Sequence, residues 1–196
     1  MHFPVISVEK NVRRHGSDVL AEEQPLEIHL QYGPVGQRRH LVLAVTMRTP
    51  GHDEDLCTGF LWTEGIIARP EALTACHSVR ENEILAVLHP AATFEAERLT
   101  RHVFANSGCG ICGKAAIDNI HNVTCYFPQK NQPSVSKTLL FSLPERLRAA
   151  QTGFDQTGGV HAAGLFDASG QLLLLREDVG RHNAVDKVLG AALRAG

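Results

Sequence analysis

Two cysteines, Cys109 and Cys112, form a C-x-x-C pair among Gly108, Gly110 and Gly113, directly ahead of Lys114. Glycine lacks a Cβ, so such a loop can turn tightly and let another molecule approach the sulfurs. Behind it, Lys114 to Ile120 reads as the opening of a helix, with Ala115, Ala116, Ile117 and Ile120 supplying helix formers and an apolar side. The positive end of that helix and the Lys114 ammonium both favour the thiolate, the form that attacks, carries sulfur or binds metal. Three chemistries stay open for the pair. Cys109, Cys112, His121 and Cys125 run in order as a structural zinc set, although their spacing matches no common zinc finger. A thioredoxin-like dithiol is the second, normally with fewer glycines, and a sulfur-handling or nucleophilic loop is the third.

A second group of chemistry-bearing residues lies between 154 and 187. Gly158 and Gly159 feed an apolar segment and leave backbone N–H groups able to meet a phosphate or carboxylate. Arg176, Glu177, Asp178, Arg181, His182 and Asn183 then crowd a strand-to-helix junction, where α/β proteins place sites, although an ordinary charged helix end has the same look. In the helix that follows, Ala184, Val185, Val188, Leu189 and Ala192 make the apolar stripe. His182 with Asp186 and Asn183 with Lys187 lie one turn apart on its more polar sides. Asp178 is placed to cap that helix, and His161 reads as a structural histidine.

The elements that must position these residues follow from periodicity. Residues 5–8, 26–30 and 41–45 read as strands, the last two paired as a hairpin through Gly33-Pro34-Val35-Gly36. Arg13, Arg14, Arg38 and Arg39 read as solvated loop residues. Thr49-Pro50-Gly51-His52 breaks the strand pattern, and Asp53, Glu54 and Asp55 open a helix running to about Thr63, with Leu56 and Phe60 buried and Cys57 a core residue. Residues 75–79 and 84–88 make two more strands, and 101–105 another that leads into the cysteine loop. Ser142-Leu143-Pro144-Glu145 has the S-x-x-E form of a capping box opening a helix that ends near Gly153, and 165–166 with 172–175 read as a hairpin.

The expected organisation is thus α/β, or α+β taken overall. A β-rich part spans 1–105 with one helix at about 53–64, and an α/β domain carrying the C-x-x-C loop spans 106–196. With 196 residues, 43% of them hydrophobic, the chain is long enough for a proper core. Nineteen basic against 21 acidic residues leave no charge excess for wrapping nucleic acid or lying on a membrane. No apolar run approaches the roughly 20 residues of a membrane span, and no signal peptide is read at Met1-His2-Phe3-Pro4. Together with five cysteines, an odd count, this points to the cytoplasm and to free thiols.

Three motifs carry a family resemblance: SGCGICGK at 107–114, RTPGHDEDLCTGFLWTEGII at 48–67, and TGGVHAAGLF with REDVGRHNAVDKVLG between 157 and 190. In this order they closely resemble the FdhD family of formate dehydrogenase accessory sulfurtransferases. The resemblance implies a cytidine-deaminase-like layered α/β fold. It implies a carrier that takes persulfide sulfur from a cysteine desulfurase and passes it to the molybdenum of the bis(molybdopterin guanine dinucleotide) cofactor, which is bound as substrate before its insertion into formate dehydrogenase. It assigns the persulfide to Cys109 and an assisting role to Cys112, with no permanent metal, and it implies a homodimer. Gly158, Gly159, Arg176, Arg181, His182 and Asn183 are the candidate cofactor contacts. Family members continue past the last motif, so the chain reads as truncated at its C-terminus.

Two rival functions belong to other classes. A zinc deaminase needs H-x-E followed by P-C-x-x-C, whereas Ala163 stands two residues after His161 and the cysteine pair comes earlier, behind Gly108. A non-catalytic adaptor stabilised by zinc on Cys109 and Cys112 would contain stoichiometric metal.

Overall fold

The computed structural model describes residues 2–94 and 134–196. Its organising element is a four-stranded sheet in the order β4-β3-β6-β5, formed by β3 (Gln24–Tyr32), β4 (Arg39–Arg48), β5 (Leu73–Arg80) and β6 (Glu83–Leu88). β3 and β6 are parallel and central, while β4 and β5 flank them antiparallel. Side chains alternate across a strand, so Leu26, Ile28 and Leu30 of β3 share one face with Ile84, Ala86 and Leu88 of β6, all at most 1% exposed. Helix α1 (Asp53–Thr63) lays Leu56, Cys57 and Leu61 on that face and completes the core with Ile67. Burying one such leucine contributes about 1.5–3 kcal/mol.

The expected α1 is present, with Asp53, Glu54 and Asp55 in its first turn, and Cys57 is fully buried as a core residue. The β3–β4 hairpin also forms. Arg38 departs from its reading as a solvated loop residue. It is half-buried, and its guanidinium donates to the carbonyls of Gly33, Gln31 and Leu88, closing the chain reversal against the end of β6.

Ahead of the sheet, β1 (His2–Glu9) and β2 (Val12–Val19) form a separate antiparallel hairpin around Lys10 and Asn11, both at positive φ. Arg13 and Arg14 therefore lie on a strand, not in a loop. In the last third, α2 (Lys137–Ala149) and α3 (Thr152–Thr157) precede a hairpin of β7 (His161–Phe166) and β8 (Leu172–Asp178), and α4 (Arg181–Ala195) ends the chain.

The expected capping box at Ser142 is absent. The Ser136 hydroxyl caps α2 instead, accepting from the Leu139 N–H at 3.1 Å, and Ser142 sits inside the helix, donating to the Leu139 carbonyl. Gly153 does not end that helix; it lies within α3, which stops at Gly158 in the left-handed conformation. The mixed α/β class holds. Residues 101–120, including the expected strand and helix around the cysteine loop, lie outside the described residues.

Helices α1 and α4 cross with their backbones almost in contact. A Cβ added to Gly59 would stand 1.9 Å from the Asp186 carbonyl oxygen, and one added to Gly190 would stand 1.8 Å from that of Asp55. Only glycine permits this approach. The crossing brings the 48–67 motif against the 176–190 motif.

Candidate functional site

The two motifs are joined by a buried polar seam. Asp178, at the end of β8, is completely buried and faces Lys187 of α4, itself 1% exposed, with Lys187 Nζ 2.7 Å from Asp178 Oδ2. Buried charges of this kind survive only when paired and hydrogen-bonded throughout. Both conditions are met. Asp178 Oδ2 also accepts from the Thr49 N–H at 3.1 Å, and Oδ1 accepts from the Gly180 N–H at 2.8 Å and from Asn183 Nδ2 at 3.0 Å. Lys187 Nζ donates to the Thr49 carbonyl at 2.8 Å, and the Val179 N–H donates to Thr49 Oγ1 at 3.0 Å. Thr49 thus meets the end of β8 and the side of α4 with its N–H, carbonyl and hydroxyl.

Asp178 does serve the start of α4, through Gly180 and Asn183, while Gly180 occupies the N-cap position without a side-chain cap. Lys187 does not lie on a polar side of that helix as its spacing suggests. Thr49 and Asp178, distant in sequence, draw it inward.

A second ion cluster lies alongside. Asp55, 4% exposed, accepts from Arg176 Nε and Nη2 at 3.0 and 2.8 Å and from Arg194 Nη1 at 2.6 Å; Arg194 also pairs with Glu54. At the entrance to α1, His52 holds the left-handed conformation with its Nδ1 3.7 Å from Asp55 Oδ2. Burial lowers the His52 pKa, and the Arg176 and Lys187 cations add to that, against the opposing pull of Asp55 and Asp53. Beside this cluster Arg48 grips Asp53 through two nitrogens at 2.8 and 2.9 Å and reaches Asn82 at 3.0 Å.

The sequence-derived cofactor candidates separate into two groups. Arg176 is engaged with Asp55, and Asn183 donates to the Met47 carbonyl at 2.7 Å and to Asp178, so both hold the seam together. Arg181 and His182 are exposed in the first turn of α4. Gly158 and Gly159 lie at the same end of the β7–β8 ladder, because His161 pairs with Asp178 and only Val160 separates the two glycines from that pair. Gly158 ends α3 with its N–H on the Phe154 carbonyl, and Gly159 packs so that an added Cβ would meet Ala21 Cβ at 3.2 Å. Glu177 reaches back to cap α3, accepting from the Gly153 and Phe154 N–H groups at 2.7 and 2.8 Å. Segments 49–52, 158–161 and 179–183 therefore converge on one end of the hairpin, with the exposed Arg181 and His182 at the N-terminus of a long helix.

Cys109 and Cys112, with His121 and Cys125, lie outside the described residues. Among the described residues the free thiols are Cys57 and Cys76. Cys57 is fully buried, and its hydrogen bond to Cys76 together with that burial pushes its pKa well up. His161 opens a strand, and the one group of three metal-capable side chains found among the described residues, Glu27, His29 and Glu83, does not include it.

In the sequence Asp55 reads only as part of an acidic helix start and Lys187 only as a polar-side partner of Asn183, and nothing points to Arg194. The usable signal was a glycine inside each of two helical patterns, Gly59 and Gly190, since a mid-helix glycine usually marks close packing.

Residues 21–196 match the family model described as the FdhD/NarQ family. The chain is 42% identical over 189 residues to the sulfur carrier protein FdhD of Streptomyces avermitilis, covering 91% of this chain and 64% of that protein. It is 44% identical over 188 residues to the protein of the same name from Streptomyces coelicolor, again spanning 64% of its length and 90% of this chain. The Sulfurisphaera tokodaii protein of that name is 36% identical over 189 residues, with 96% and 68% covered. A crystal structure described as a formate dehydrogenase accessory protein from Desulfotalea psychrophila shares the fold, with a TM-score of 0.68 at 22% identity, over all of this chain and 68% of that one. The chain belongs to the FdhD/NarQ family.

Proposed function

We propose that this protein is a cytoplasmic sulfur carrier that serves formate dehydrogenase. The carrying observation is the match along residues 21–196 to a family whose similar members are named sulfur carrier proteins, with a C-x-x-C pair in the matched stretch. The Cys109 thiolate attacks the outer sulfur of a persulfide on a cysteine desulfurase; a Cys109 persulfide forms and the donor cysteine leaves as thiolate. The Cys112 thiolate then attacks the inner sulfur, so that hydrosulfide departs toward the molybdenum of the bis(molybdopterin guanine dinucleotide) substrate. The dithiol becomes a disulfide in that step, and a cellular thiol must reduce it before the next cycle.

The second half of the site receives the cofactor's dinucleotide. Arg181, His182 and the uncapped N–H groups opening α4 offer donors to its phosphates, and Gly158 and Gly159 allow close approach beside them. Arg176 and Asn183 act indirectly, Arg176 by tying β8 to α1 through Asp55 and Asn183 by tying α4 to β4 through the Met47 carbonyl. The sulfurated cofactor passes to formate dehydrogenase, and the carrier works as a homodimer.

Incubation with a cysteine desulfurase and cysteine, followed by cyanide release of sulfane sulfur, tests the carrier step. The parent should yield about one releasable sulfur per chain and Cys109→Ala none, while Cys112→Ala should load but deliver sulfur poorly. Equal loading of Cys109→Ala and parent would remove the assignment.

A further inference from the structure

The sheet carries a second ionisable cluster, used neither by the seam nor by the proposed sulfur chemistry. On β3, Glu27 and His29 alternate with the core positions Leu26, Ile28 and Leu30 and so point to the opposite face. Glu83 stands beside Glu27 in the parallel β3–β6 register. His29 is only 9% exposed; its Nε2 lies 2.6 Å from Glu27 Oε1 and 3.1 Å from Glu83 Oε1, yet it makes no aligned hydrogen bond. A buried polar atom in that position asks for a partner.

The surroundings indicate which kind. His29 Nδ1 is 3.2 Å from His40 Nε2, with the two rings stacked, and Arg80 Nε holds Glu83 Oε2 at 2.6 Å, leaving Oε1 to face His29. In the tautomer that donates Nδ1–H to His40, the Nε2 lone pair of His29 faces two carboxylate oxygens, an arrangement that a cation resolves. One imidazole nitrogen and two carboxylate oxygens suit a borderline divalent ion such as zinc. Ligand distances of about 2.0–2.2 Å set the donor atoms of a tetrahedral site about 3.4 Å apart, so the pairs at 2.6 and 3.1 Å need to open by less than about 1 Å to take the ion. The Glu27 side chain is 41% exposed, which leaves an entry path and room for water ligands.

We infer that Glu27 Oε1, His29 Nε2 and Glu83 Oε1 bind a divalent transition cation, zinc by preference, and that it ties β3 to β6 at the centre of the sheet. His40 orients the liganding imidazole from outside the coordination sphere, as partners of metal-bound histidines do. Its three proposed ligands do not include Cys109 or Cys112.

The test uses the full chain carrying Cys109→Ser and Cys112→Ser, so that the loop thiols contribute nothing. After chelator treatment, zinc is titrated calorimetrically and thermal unfolding is recorded with and without zinc. One zinc per chain and a raised Tm are expected, with Glu27→Gln and His29→Gln each weakening affinity at least about tenfold and shrinking the Tm rise. Glu27→Gln changes a partly exposed side chain, and a metal-free Tm equal to the parent's would show that its fold is kept. The inference is overturned if Glu27→Gln binds zinc like the parent, or if the parent takes up none and its Tm does not move.

Discussion

The α1–α4 seam and the β1–β2 hairpin are built from opposite materials. In the seam, charged side chains are buried: Asp178 and Lys187 are at most 1% exposed, and Asp55 4%. In the hairpin, apolar side chains are exposed, with Ile6 at 59%, Val8 at 64% and Val12 at 55%. A two-stranded ribbon without a covered face is marginal by itself, so packing does little to fix the identity of its residues. The seam is constrained in every direction, because each buried charge meets several partners and each glycine meets a carbonyl. This difference places the sensitive positions of the fold where the two motifs meet.

The largest expected effect comes from Lys187→Met. It leaves Asp178 buried without its cation, and urea unfolding should show a loss of about 3–5 kcal/mol. Adding Asp178→Asn should restore part of that loss, and a double variant as unstable as the single one would argue against the pairing. Next come Gly59→Ala and Gly190→Ala. Each must push one helix off the carbonyl of the other, with an expected loss of about 3 kcal/mol, whereas Gly16→Ala on β2, whose nearest neighbour would be 3.9 Å away, should be nearly neutral.

Asp186 gives a pH-dependent test of the same crossing. Burial raises its pKa from 3.8 to about 6, with the Glu64 charge adding to the rise against the hydrogen bond from Thr63 Oγ1 at 2.9 Å. Between those values the folded chain holds a proton that the unfolded chain has released. This group therefore favours folding fully below pH 3.8, and its contribution is lost as pH rises through about 6. Asp186→Asn should remove that slope and raise stability above pH 7 by on the order of 2 kcal/mol. The smallest effect is expected in the hairpin, where Val8→Thr should shift stability by less than about 0.5 kcal/mol. A larger loss would mean that the exposed ribbon is covered in solution.

Much of the sheet and α1 was legible because local and tertiary forces agree there. The alternation of Leu26, Ile28 and Leu30 and the acid run Asp53–Asp55 say locally what the core then uses. α2 was misread because Ser142 and Glu145 imitate a cap, while the acting cap, Ser136, lies six residues earlier and the helix accommodates Pro144. β2 was hidden by its polar composition, since a strand that buries little shows no alternation. The site was legible as a list of residues, though not as roles. Arg176 and Arg181 look alike in sequence, yet Asp55, 121 positions away from Arg176, makes the first a brace and leaves the second exposed.

The most direct test of the carrier account is intact-protein mass measurement after incubation with a cysteine desulfurase and cysteine, with peptide mapping of any adduct. A sulfur carrier should show a single added sulfur on Cys109 that reductant removes and that Cys109→Ala lacks. An unmodified chain, or sulfur mapped to Cys57 or Cys76 with Cys109 unmodified, would contradict it.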